Sequence, residues 1–187
     1  MRMLEKEDLP DDQLIEIIHF VENVLNVKHP NILRVEKSEQ VRYLKQKLNR
    51  PLRVCGVVKN EDEQGGMPCW VTGNDGTVSL QFVEYYQVSG DADKCRKFES
   101  STHFNPVDIV CYVNDYKGKR FDFSGFADMS SYMVLPKQLN GTSVKHLEES
   151  GLWNGGMADW NTILVEVPIK TFNPVKTIND VLRHEHQ

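Results

Sequence analysis

The chain has 187 residues, 40% hydrophobic and 26% charged, the composition of one folded domain and not of a disordered or fibrous chain. Its net charge of −5 repels phosphate backbones, which argues against nucleic acid as a partner. No apolar run nears the roughly 20 residues that span a bilayer, and the charged start Met1-Arg2-Met3-Leu4-Glu5-Lys6 lacks the apolar core of a signal peptide.

From Asp11, the residues Leu14, Ile15, Ile17, Ile18, Val21, Val24 and Leu25 recur at helical spacing. Asp11 and Asp12 suit the positive end of the helix dipole, and the helix should fade by Asn26. His29-Pro30-Asn31 reads as a turn. Ser38 is the expected cap of a second helix with Val41, Leu44 and Leu48 on one stripe, stopped by Asn49-Arg50-Pro51. Residues 1–50 thus form a helical segment that needs a surface to pack on.

Residues 51–187 read mostly as strands. Leu52 to Val58 is a short apolar run fit for a buried strand. A polar loop follows from Asn60 to Gly66. Cys69 to Thr72 and Val78 to Val83 flank Gly73-Asn74-Asp75-Gly76, a hairpin signal. Asp108 to Val113 and Arg120 to Phe123 flank a further turn. Ile163 to Val167 is another strand. A short last helix starts at Thr177, with Asp180 completing a capping box. The mixture predicts an α/β protein with a mixed sheet.

The chain has no phosphate-binding glycine loop, no serine elbow and no zinc-protease motif. Its four cysteines and six histidines are scattered, so no metal site is expected and the thiols read as reduced. Gly65-Gly66 and Gly155-Gly156 are turns or close backbone approaches, with a ligand loop as the alternative. The stretch from Trp153 to Asn161 is either a core anchor beside a tight loop or part of a pocket wall.

Four segments carry groups suited to ligand chemistry, each with a plain structural alternative. Arg53 to Asn60 ends a buried strand in Lys59, and strand ends are where α/β sheets bind ligands. Otherwise Lys59 is an ordinary solvated lysine. Phe82-Val83-Glu84-Tyr85-Tyr86 sets a carboxylate among rings, as sugar binding uses, or points Glu84 to solvent. Ser101-Thr102-His103-Phe104-Asn105-Pro106 gathers an imidazole and an amide, or is a turn. Lys176 precedes a helix start, where backbone N–H groups and a lysine suit an anion, or is a surface lysine.

Phe82-Val-Glu-Tyr-Tyr86 resembles the Val-Glu-Tyr-Ser element of UDP-N-acetylhexosamine pyrophosphorylases, with Tyr86 in place of the serine. His103-Phe-Asn105 resembles the asparagine-bearing segment that follows it there. Phe172-Asn-Pro-Val-Lys176 to Leu182 resembles the Phe-x-Pro-Val-Lys element of UDP-glucose pyrophosphorylases. From about Leu44 onward, the Arg53–Asn60, Ser101–Asp108, Gly151–Gly155 and Lys176 segments resemble the C-terminal part of a bacterial domain-of-unknown-function family, number 4301.

The resemblance implies the C-terminal half of a GT-A-like, Rossmann-related nucleotidyltransferase sheet, preceded by two short helices. Residues 1–50 would be the helical segment and residues 51–187 the sugar-facing portion. It implies Lys176 as the catalytic phosphate contact. Glu84, Asn105, Lys59 and His103 would bind substrate, a sugar phosphate or nucleotide sugar. Mg²⁺ would be a family-level cofactor needing residues absent from this chain, as is the nucleotide loop. The isolated chain is therefore expected to bind without catalysing transfer. Its implied partners include an N-terminal half or a second copy. The alternative is a non-catalytic binding or interaction module. The expected location is cytoplasmic, with no membrane partner.

Overall fold

The computed structural model describes residues 1–60, 65–106, 109–150 and 154–186. Helix α1 (Asp11–Asn23) starts as its acidic first turn predicts, and buries Leu14, Ile18 and Val21. Helix α2 (Lys37–Leu48) begins one residue before Ser38, with Glu36 at the cap position and no side-chain capping bond. The extended backbone of Glu36 lets its carbonyl take the first helical bond, from the Gln40 N–H. Between them, strand β1 (Val27–Lys28) pairs with β4 (Val78–Val83). The helical segment thus supplies an edge strand to a sheet and docks on Leu52 and Ile163.

The central element is β2 (Leu52–Lys59), buried along most of its length. It pairs parallel with β9 (Asn161–Glu166) and antiparallel with β5 (His103–Phe104) and β6 (Ile109–Tyr112). A parallel neighbour demands a distant crossover, here more than 100 residues of chain. The predicted hairpin forms as β3 (Met67–Thr72) and β4, with Gly76 at φ 76° where only glycine is unstrained. The order of that sheet is β1-β4-β3.

Arg53 joins the two sheets. It is fully buried, donates to Thr162 on the neighbouring strand β9 at 2.8 Å, and donates to Gln81 on β4 at 2.9 Å. Its guanidinium also lies over the Phe82 ring.

Several elements were not expected. Helix α3 (Tyr85–Val88) and helix α4 (Ala92–Glu99) follow β4, the latter capped by Asp91. Strands β7 (Tyr132–Leu139) and β8 (Thr142–Glu149) form a separate two-stranded hairpin. Arg120 to Phe123 is not a strand. Asp122 accepts bonds from the Ser124 N–H and hydroxyl, and this turn starts a 3-10 helix, Phe123–Phe126, in place of a ladder. The last helix is a 3-10 turn, Ile178–Leu182, with the Thr177–Asp180 capping box. The architecture is mixed α/β, with several sheets and few helices. Among the described residues no helix is long and apolar enough to cross a membrane.

Candidate functional site

A hydrophobic cluster of Val58, Met67, Phe98 and Phe104 lies at one end of β2, beside Lys59, His103 and Asn105 and next to the residue before Glu84. Lys59 follows Val58 and is exposed at the strand end, opposite its register partner His103. Phe104, flanked by His103 and Asn105, belongs to the cluster. Val83, just before Glu84, packs on it, and so does Phe172, four residues before Lys176. Phe172 meets Phe104 edge to face at 5.2 Å. Met67 pairs with Val83, the residue before Glu84, and Gly66 pairs with Asn105, so both segments border the start of β3. This is also the C-terminal end of β9, where Glu166 stands 3.7 Å from His103 Nε2.

Each side chain has local bonds that shape what it can do. Glu84 is the N-cap of α3: its carboxylate accepts a backbone N–H, and its own N–H donates to Gln87 Oε1 at 2.7 Å. Asn105 is buried, and its amide donates to the Gly56 carbonyl at 2.7 Å. His103 Nδ1 pairs with the Thr102 hydroxyl at 2.8 Å. Gly65 approaches the backbone and ring of this segment closely, since an added Cβ would sit 3.2 Å from the Phe104 ring. Lys176 has an exposed side chain. The backbone donors beside it are not open to a ligand, however. Asp180 Oδ2 accepts the Lys176 N–H at 3.0 Å and the Thr177 N–H at 2.7 Å. The latter bond, then the former, helps hold the Asp180 carboxyl below its ordinary value. Any anion contact there is left to the lysine side chain. Asp108, Gly151 and Trp153 lie outside the described residues.

A second polar feature was missed by the sequence reading. A cleft of about 460 Å³ opens between the end of α2, the β3–β4 hairpin and the segments around Asp128 and Asp159. None of the five sequence-selected residues is among its described lining. Lys47 is buried and bonds Asp75 Oδ2 at 2.6 Å. Burial lowers the lysine pKa, and the Asp75 hydrogen bond restores part of it. Burial alone would raise the Asp75 carboxyl, but bonds from Lys47 and Thr77 bring it down to about 2. Arg50 bonds Asp159 Oδ1 at 2.8 Å. The Ser130 hydroxyl, then that of Ser131, lowers the Asp128 carboxyl. The turn residue Asp75 and a lysine in the last turn of α2 were the available signals, but nothing in the sequence joins them.

The family model described as a domain of unknown function (DUF4301) matches residues 1–187. The chain belongs to this family. The match takes in the two opening helices of the DUF4301 chain as well as its sheets. No curated protein matches it. The four cysteines of this DUF4301 chain are free thiols, and burial pushes the Cys55 thiol up to about 11, which makes it a poor nucleophile. Among the described residues no three His, Cys, Asp or Glu side chains gather as a metal site.

Proposed function

We propose that this DUF4301 chain binds a sugar phosphate or nucleotide sugar, as the sugar-facing part of a GT-A-like nucleotidyltransferase. The observation that carries this reading is the convergence at the end of β2. Lys59, Glu84, His103, Asn105 and Lys176 all come from segments anchored on one hydrophobic cluster. In open α/β sheets the C-terminal strand ends are the usual ligand position. The parallel pair β2–β9 with antiparallel flanks is compatible with a Rossmann-related sheet. The short likeness to UDP-sugar pyrophosphorylases supplies the substrate class.

In this reading Glu84 and Asn105 accept sugar hydroxyls, and the amide of Asn105 stays tied to Gly56. The side chain of Lys176 neutralises phosphate charge, with Lys59 and His103 beside it. The work is positioning and charge neutralisation. Transfer itself needs a nucleotide loop that this sequence does not contain.

The test is a thermal-shift screen of the full chain against sugar-1-phosphates and nucleotide sugars. A ligand at 100 times its Kd stabilises by about 2.7 kcal/mol, or about 5–11 °C at this size. Glu84→Gln keeps a side-chain acceptor for the cap, and Lys176→Ala removes the cation of an exposed residue. Both should abolish the shift and leave the free protein's midpoint within about 2 °C. A shift retained in both variants, or none with any ligand, overturns the assignment.

A further inference from the structure

The β7–β8 hairpin has an open edge. Among the described residues β8 pairs only with β7, so its outer side presents unpaired N–H and C=O groups. The outer side of β7 is a poor place for a further strand. Pro136 stands in the middle of β7 with no N–H to donate, and α3 packs against this strand. β8 has room beside it. A cavity of about 880 Å³ borders it at His146, Leu147, Glu149 and Ser150, and no residue of β7 is among the described lining.

The sequence of β8, Thr-Ser-Val-Lys-His-Leu-Glu-Glu, is complementary in charge to its own reverse. A two-fold axis normal to the sheet reverses a strand and keeps its faces. In an antiparallel pair of β8 edges each residue therefore meets one from the same face. With Leu147 on the axis, Lys145 lies opposite the partner's Glu149, and His146 opposite the partner's Glu148. Symmetry makes each pair twice. The next symmetric register in one direction sets His146 against its own copy, and in the other Glu148 against its own copy. Neither brings opposite charges together. Lys145 and Glu149 are exposed and make no ion pair within the chain among the described residues, so neither gives up a partner. The same register extends an apolar row. Val134 faces Leu147 across the hairpin, and the two are 40% and 55% exposed. Joining two copies at β8 would set Val134, Leu147 and their counterparts side by side on one face, where cross-strand contacts stabilise a sheet. We propose that the chain associates with a second copy of itself by antiparallel pairing of the β8 edges, with Leu147 on the two-fold axis. None of these residues belongs to the strand-end segments, so failure here leaves the sugar-phosphate reading untouched.

The experiment is analytical ultracentrifugation of the full chain from micromolar to millimolar concentration. A monomer–dimer equilibrium with a micromolar Kd is expected, because a short ladder buries less than the about 1,200–2,000 Å² of a standard stable interface. Lys145→Glu and Glu149→Lys each set like charges opposite one another, and each alone should weaken the dimer tenfold or more. Mixed in equal amounts, the two variants restore opposite charges at both pairs and should recover the parent's association. The double variant Lys145→Glu/Glu149→Lys should dimerise as the parent does. Both positions are exposed, and circular dichroism checks that the variants fold. If either single variant does not fold, Leu147→Glu sets two carboxylates against each other on the axis and should also cost tenfold or more. A chain that stays monomeric at millimolar concentration overturns the proposal and leaves the β8 edge to an unrelated strand. A dimer undiminished in the folded variants, or one that neither the mixture nor the double variant recovers, places any association on another surface and overturns it equally.

Discussion

The two polar regions of this chain use charge in opposite ways. Around the polar cleft Lys47 is paired with Asp75 and Arg50 with Asp159, and the buried Arg53 donates to the neutral side chains of Gln81 and Thr162. At the end of β2 the hydrophobic cluster does the holding, and Lys59 is exposed at its edge. Charge that is buried and paired is costly to disturb. Charge mounted on an apolar anchor can be altered without harming the fold. The second arrangement suits a site that must exchange contacts with a ligand.

The comparison breaks most visibly at Arg53. Arg53→Ala should destabilise by about 3–5 kcal/mol, since it opens a cavity and removes buried hydrogen bonds to Thr162 and Gln81. Chemical denaturation would show a midpoint shift of that size. A loss below about 1 kcal/mol would mean that the sheets are held together elsewhere.

Next is the Lys47–Asp75 pair, whose lysine is 5% and aspartate 53% exposed. Asp75→Ala should cost about 1–3 kcal/mol, less than for a fully buried pair, because water reaches the carboxylate. The pair also fixes a pH dependence. Asp75 titrates near 2 in the folded chain against 3.8 as its ordinary value. Its stabilisation is fully present above about pH 4 and is lost as pH falls through 2. Thermal midpoints measured from pH 5 to pH 2 should fall less steeply in Asp75→Asn than in the parent. Equal slopes would remove Asp75 from the account.

The smallest effect sharpens the comparison from the other side. Lys59→Ala and Lys176→Ala should each change stability by less than about 0.5 kcal/mol, the range of exposed surface positions. A larger loss by denaturant titration would show that the strand-end lysines serve the fold as well.

Three omissions in the sequence reading had different causes. The β7–β8 hairpin was legible: Asn140 and Gly141 have φ values of 49° and 81°, the pattern that an Asn-Gly turn favours. The flanking strands are mostly exposed and so lack a clear apolar alternation. Helix α4 was legible only through its Asp91 cap, because it buries just one residue, Phe98. Of the polar cleft, the sequence offered only the stretch holding Ala158 to Asn161 as a pocket wall; its charge pairs were not legible, since they lie 28 and 109 positions apart.

By itself the sequence determined what is local. The periodicity from Leu14 to Leu25 set α1, the turn at Gly73 to Gly76 set the β3–β4 hairpin, and Thr177 with Asp180 set the last cap. Short-range sterics and hydrogen bonding suffice for these. Only the tertiary structure decided that β9 lies parallel to β2 and that Arg53 is buried between two sheets. Each of these depends on which surfaces meet. That follows from burying apolar area across the whole chain, and no window of neighbouring residues contains it.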